Sequence, residues 1–346
     1  MRAYSRHAPQ ARVEEVVVHF IIPREFEGRL EDLQRSRLEV DYPYWLGGRF
    51  NWPAQTWLVL REYREGLSIG TEPVVGVINV AHVQTWRALG RRRGEFRVSI
   101  RADYSQLFDA DFEIVQNPAV RTNRSRLYLP YWPVPGVIPR RETRQGVRNV
   151  AYAGRLGPRN LVSELRDAKM LADAEVAFHV IPPNRWHDMS EVDVLVAVRS
   201  FDRKPHHSKP PSKLFHAWRA GVPLIAGWDS AYSAIGRPGK DYLRVESSEE
   251  LGAALERLAE DPAVYDAIVA EGRRRALEVG HKPLARVWLE ALEGQVEEAF
   301  RRWGEVARNP LKCGVARAGD QLREAASGAK RRLHKRFAPS SKQTGP

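Results

Sequence analysis

Residues 209 to 227, KPPSKLFHAWRAGVPLIAG, constrain the fold more than any other stretch of the chain. Prolines brake the backbone, Ser212 and Lys213 follow, and then come a short helical stretch, an Ala-Gly turn and the apolar run Val222 to Ile225. Just upstream, EVDVLVAV (191–198) has apolar residues on both faces, as a central parallel strand does. Strand, loop, helix and strand in that order make a β-α-β unit, which requires a parallel sheet. The unit sets a helix N-terminus, with its free N–H groups and positive dipole end, beside a lysine. That combination suits a phosphate.

The same alternation runs through the rest of the sequence. EEVVVHFIIP (14–23), VVGVINVAHV (74–83), FRVSIRADY (96–104) and DFEIVQNP (111–118) read as strands. Gly47-Gly48 is a turn, and Trp52-Pro53 is expected to open a helix whose buried face uses Trp57, Leu58, Leu60 and Tyr63. A second series begins at RNVAYAG (148–154) and continues with a helix over 160–172 and strands over 174–181, 191–198 and 241–245. A capping-box helix over 247–260 and helices near 262–277 and 283–303 complete it. Between the two series, LPYWPVPGVIPR (129–140) holds four prolines and a glycine and reads as a linker. The expected architecture is α/β, with two Rossmann-like domains over 13–135 and 148–303, a linker over 136–147 and a basic tail over 304–346.

Composition sets outer limits. A chain of 346 residues, 43% of them apolar, fits two domains of ordinary size. The first ten residues hold no apolar signal-peptide core, and no uninterrupted apolar run reaches the length of a membrane span. A single cysteine, Cys313, excludes an intrachain disulfide framework, so a reducing cytoplasm is the expected compartment. The net charge of +12 is concentrated at one end: residues 301 to 346 hold twelve Lys/Arg against three Asp/Glu. The body is nearly balanced, which argues against a nucleic-acid groove across the fold. In the tail, Leu322, Ala326, Ala329, Leu333 and Phe337 fall at helical spacing among basic residues. Residues 322–337 read either as a basic helix for an anionic membrane surface or as a disordered tail.

Four segments in order carry a family resemblance: YAGRL (152–156), EVDVLVAVRSF (191–201), PSKLFHAWRAGVPLIAG (211–227) and GRPGKDYL (236–243). Together they resemble the second domain of GT-B glycosyltransferases, particularly the retaining group called family 4. The resemblance implies a nucleoside-diphosphate sugar as donor, bound mainly by the second domain at the cleft. It implies no metal and no cofactor beyond that donor substrate. The acceptor would be a hydroxyl of a glycan, a lipid-linked sugar or a small molecule.

Residue chemistry agrees with that expectation. Ligands of open α/β sheets sit outside the carboxyl ends of the strands. Arg155 follows the strand 148–154, and Lys213 opens the helix after the strand 191–198, so both fall on one sheet edge. A guanidinium fork and an ammonium can hold a diphosphate and stabilise its growing charge as it leaves. Ser212 either caps the helix or touches phosphate. The glutamates of the family's E-x7-E pair are replaced by Ser208 and His216, and His216 takes the position that commonly meets the ribose. In the resembling family, a glycine turn such as Gly47-Gly48 lets backbone N–H groups approach the donor phosphates. On the same side, His82 follows one strand and would either polarise sugar or acceptor or serve simply as a satisfied, partly buried histidine. Asp103 follows another and would orient or deprotonate an acceptor hydroxyl, unless it merely pairs with Arg101. His206, His207 and His216 are the one histidine grouping that raises a metal site. A nucleotide-sugar epimerase, a non-catalytic binding protein on the same scaffold, and a tail-driven nucleic-acid binder are the rival readings.

Overall fold

The computed structural model describes residues 17–41, 47–154 and 176–307. The first unit alternates β1 (Val18–Ile21), α1 (Leu30–Arg35), α2 (Gly48–Leu60), β2 (Leu67–Gly70), β3 (Ile78–His82), α3 (Val83–Leu89), β4 (Phe96–Ile100), β5 (Phe112–Val115) and β6 (Arg126–Tyr128). Its six strands are all parallel, in the order β2-β1-β3-β4-β5-β6. The second unit holds β7 (Asn149–Ala153), β8 (Ala177–Ile181), β9 (Val194–Ala197), α4 (Ser212–Ala220), β10 (Leu224–Ala226), α5 (Ser230–Ile235) and β11 (Leu243–Arg244). It is also wholly parallel, in the order β11-β10-β9-β7-β8. Both sheets therefore reverse direction between their first and third strands, β1/β3 and β7/β9. That reversal is where a doubly wound sheet opens a crevice for ligand.

The buried runs explain the strands: β1, β3, β4, β5 and β9 are buried at every position, as sheets covered on both faces require. The helix over 160–172 lies outside the described residues. The second unit continues with α6 (Ser248–Glu260), α7 (Pro262–Glu278), α8 (His281–Ala291), a π-turn (Leu292–Val296) and α9 (Glu297–Ala307). Ser247 caps α6 as expected, with Oγ accepting from the Glu250 amide at 3.1 Å, but Glu250 reaches back one residue further, accepting from the Glu246 amide at 2.7 Å.

One local expectation is corrected. The helix assigned to Trp52-Pro53 starts a turn earlier, at Gly48, so Pro53 lies inside it. A helix buried from Trp52 to Leu60 has packing enough to hold that proline. Tyr63 falls past its end and is 46% exposed. The proline-rich segment 129–140 runs between the two units and is packed in part: Trp132 is fully buried, stacks on Trp288 at 5.8 Å and donates Nε1–H to Thr56 Oγ1 at 2.9 Å.

The two units are tied at the back. Asp193, fully buried, accepts from Arg140 Nε (2.9 Å), Arg144 Nη2 (2.7 Å) and the amides of Arg148 (3.0 Å) and Asn149 (2.9 Å). This fixes the chain between the sheets. From α8 onward the chain packs back on the first unit: Trp288 Nε1 donates to the Pro130 carbonyl, and Phe300 meets Phe96 edge-on at 5.3 Å. Of the basic tail, only residues 304–307 are described, as the end of α9; residues 322–337 lie outside the described residues.

Candidate functional site

The carboxyl ends of the two sheets face each other. Asp103, just past β4, accepts from Lys209 Nζ of the loop entering α4 at 2.8 Å. Asn117, past β5, donates Nδ2–H to Ser230 Oγ at the start of α5, 2.9 Å away. All four residues follow strand ends, so the crevices of both sheets open into one cleft.

The second sheet's edge is cationic. Pro211 occupies the N-cap of α4, with no side-chain cap and no acidic residue in the first turn. Ser212 is therefore the first helical residue rather than the cap, and the positive end of the helix is unneutralised. Lys213 comes next and packs its ammonium 5.1 Å from the centre of the Tyr152 ring on β7. Burial, followed by the nearby charges of Arg199 and Lys209, pushes the Lys213 ammonium down to about 7. Arg199, two residues beyond β9, donates Nε–H to Asp229 Oδ2 at 3.1 Å, while Asp229 Oδ1 caps α5 through the Ala231 amide. At the other end of α4, Gly221 takes φ +66°, and a Cβ there would stand 3.0 Å from Arg273. This is why the Ala-Gly turn must be glycine.

His216 lies on the buried face of α4, 3% exposed. Burial, then Lys213, Arg219 and His187, pushes it down to about 3, so it is neutral. Its Nε2 has no hydrogen-bond partner within the protein. Arg155, the expected partner of Lys213, lies outside the described residues, one position beyond Gly154.

The first sheet's edge is mixed: Arg49 and Arg87 stand near His82, and Arg101, just past β4, donates to the Tyr104 carbonyl rather than to Asp103. His82 ends β3, fully buried, and its Nδ1 accepts from the Gln84 amide at 3.2 Å. Burial, against the nearby Asp103 carboxylate, pushes its imidazole down to about 4. A neutral ring with Nδ1 accepting carries its proton on Nε2. That Nε2–H has no partner within the protein, and Gly48 lies beside it: a Cβ on Gly48 would be 4.0 Å away. Gly47, with φ +141°, turns the chain into α2. His82, Gly47 and Gly48 thus meet, although 34 residues separate the histidine from Gly48. Asp103 sits beside them, 45% exposed, on a turn where Ala102 adopts φ 49°. The Ala102 amide is held by Gln116 Oε1 at 2.7 Å.

Among the described residues, no group of His, Cys, Asp or Glu could hold a metal ion, so His206, His207 and His216 do not form one. The triplet Asp109-Ala110-Asp111 has the form of a metal-binding Asp-x-Asp motif but precedes β5, at the opposite edge of the sheet. Asp109 accepts from Arg97 Nη1 at 3.0 Å, and Asp111 from Arg91 Nη2 at 2.8 Å. Arg199, Lys209 and Asn117 are the cleft residues that sequence reasoning missed. Arg199 had a signal, a basic residue just past the central strand. Lys209 and Asn117 had none, because their partners lie 106 and 113 residues away.

Two doubly wound parallel sheets, opposed across a cleft with one cationic edge, define a GT-B protein. The chain belongs to the glycosyl transferase-like family, whose profile matches residues 111–294. No curated protein matches the sequence. Among solved structures, Anabaena HepE in complex with UDP and glucose is similar at 11% identity and a TM-score of 0.49, over 81% of this chain and 100% of HepE. Sucrose-phosphate synthase from Thermosynechococcus elongatus is similar at 15% identity and a TM-score of 0.43, over 71% and 78%. S. aureus TarM follows at 10% identity and 0.47, over 61% of this chain; the chain spans only 55% of TarM. Among the described residues, no helix is long and apolar enough to cross a membrane.

Proposed function

We propose that the protein transfers a sugar from a nucleoside diphosphate to an acceptor hydroxyl, with retention at the anomeric carbon and without a metal. The observation that supports this reading is the uncapped start of α4, where Lys213 and Arg199 converge at the switch point of the second sheet. The charge of Arg199, paired with Asp229, and that of Lys209 act against the Lys213 ammonium, and a bound dianion would relieve that repulsion. Arg155 would add a further cation from the end of β7.

In this reading, the bond between the anomeric carbon and the terminal phosphate oxygen breaks, and its electron pair leaves on that oxygen. Lys213, Arg199 and the α4 dipole meet the growing charge, as fixed charges do best in a dry site. The acceptor oxygen attacks from the same face, and its proton passes to the departing phosphate oxygen. Asp103 orients the acceptor hydroxyl, and His82, whose Nε2–H is buried beside Gly48, would donate to a sugar oxygen once the Gly47-Gly48 turn shifts. A neutral imidazole with Nδ1 engaged suits a donor better than a base. With Ser208 and His216 in place of two acids, hydroxyl recognition falls to other groups, and this favours one rival: a protein that binds the nucleotide and turns nothing over.

The test is turnover of a panel of UDP-, GDP- and TDP-sugars by wild type and Lys213→Ala, with and without EDTA. Transfer or hydrolysis that falls on substitution and is indifferent to EDTA supports the reading. Equal turnover by both proteins removes Lys213 from the mechanism, and binding without any turnover favours the non-catalytic protein.

A further inference from the structure

Lys209 joins the two edges of the cleft in a way the proposed reaction does not yet use. It stands four residues before Lys213, in the loop that enters α4, and its amide donates to the His206 carbonyl at 2.7 Å. His206 itself takes φ 45°, so the loop turns sharply there. From this turn the Lys209 ammonium reaches across to Asp103, 2.8 Å away, and neither side chain is buried, at 31% and 45% exposed. The carboxylate expected to orient the acceptor is thus neutralised by a cation from the donor's side. The same cation is one of the charges that press on Lys213, so it belongs to the electrostatic field a diphosphate would enter.

We propose that Lys209 is a positioning residue coupling the two substrates: the donor's diphosphate draws its ammonium off Asp103, and the freed carboxylate then receives the acceptor hydroxyl. The inference rests on the donor reading above. Energetically the exchange is favourable. A half-exposed ion pair is weak, whereas a charge-assisted bond to phosphate at a helix N-terminus is stronger. The consequence is ordered binding, donor before acceptor, with no domain movement required.

A double-mutant cycle on nucleotide affinity tests this without knowledge of the acceptor. The probe is whichever of UDP, GDP or TDP binds wild type most tightly. Asp103→Asn leaves Lys209 unpaired beforehand and should tighten that nucleotide about 2–5-fold, the range an exposed ion pair allows. Lys209→Met should weaken it roughly tenfold. In the Lys209→Met background the effect of Asp103→Asn should vanish, and Lys209→Arg should restore it. If Asp103→Asn tightens binding equally in both backgrounds, the carboxylate acts only as a distant charge, and the coupling is wrong. No change on Asp103→Asn also overturns it, since the pair is then not broken by the nucleotide. These outcomes leave the donor reading standing. If wild type binds none of the three nucleotides, the donor reading itself fails and takes the coupling with it.

Discussion

The two sheets are wound in the same order, yet their facing edges differ in kind. The second presents Arg199, Lys209 and Lys213 around an uncapped helix. The first presents a neutral histidine, a glycine-started helix and the Asp103 carboxylate, with its arginines Arg49, Arg87 and Arg101 already engaged by Glu25, Ser105 and the Tyr104 carbonyl. Strand order decides where a crevice opens. It does not decide what enters, which is left to a few side chains on the loops. Under the proposed reaction the contrast divides the labour: one edge for an anion that leaves, the other for neutral hydroxyls that must be placed.

The sharpest way to break this division is to remove its largest asymmetry. Lys213→Ala should lower kcat/KM roughly 10²-fold or more, the scale for losing a group that meets transition-state charge. His82→Gln, on the other edge, should cost less and leave nucleotide affinity unchanged. Arg199→Gln comes next. It leaves Asp229, 2% exposed, without its cation, so it should cost about 3 kcal/mol of stability as well as affinity; thermal unfolding with and without UDP separates the two losses.

The edges should also answer oppositely to pH. Lys213 is held down to about 7, so the free protein loses this charge as pH rises through neutrality. Nucleotide affinity should then fall by up to about tenfold per unit above pH 7, and Lys213→Ala should flatten that limb. His82, held down to about 4, gives the opposite signature. The unfolded state binds its proton near pH 6.5 and the folded state only near 4, so stability is full above 6.5 and is lost as pH falls through that window. Urea unfolding across pH 4 to 7 reads this, and His82→Gln should reduce the slope. The smallest effect separates the two glycines. Gly47→Ala forces a side chain into φ +141° and should cost about 1–2 kcal/mol, whereas Gly48→Ala meets nothing closer than 3.4 Å and should fold normally.

Much of this layout was legible in the residues. Continuous apolar runs mark strands buried on both faces, and the 209–227 stretch identified the helix that carries Lys213. Ser247 and Glu250, three residues apart, marked the start of α6, where Ser247 caps the helix. What escaped has a common cause. Pro53 inside α2 is tolerated only because the helix is buried over most of its length, a fact of packing and not of local preference. Trp132, in a stretch that reads as a linker, is buried because α8 returns from far along the chain to cover it. Lys209 pairs with a carboxylate 106 residues away, which no spacing rule could show. Local pattern supplied the elements, and the long-range contacts supplied the cleft.

The central claim is that the second edge, and not the first, binds the donor's diphosphate. Calorimetric titration of UDP, GDP and TDP into wild type, Lys213→Ala and His82→Gln tests it directly. The account predicts that at least one nucleotide binds wild type, that Lys213→Ala weakens it by at least about tenfold, and that His82→Gln leaves its Kd unchanged. Equal affinity in wild type and Lys213→Ala, or a loss confined to His82→Gln, would contradict it.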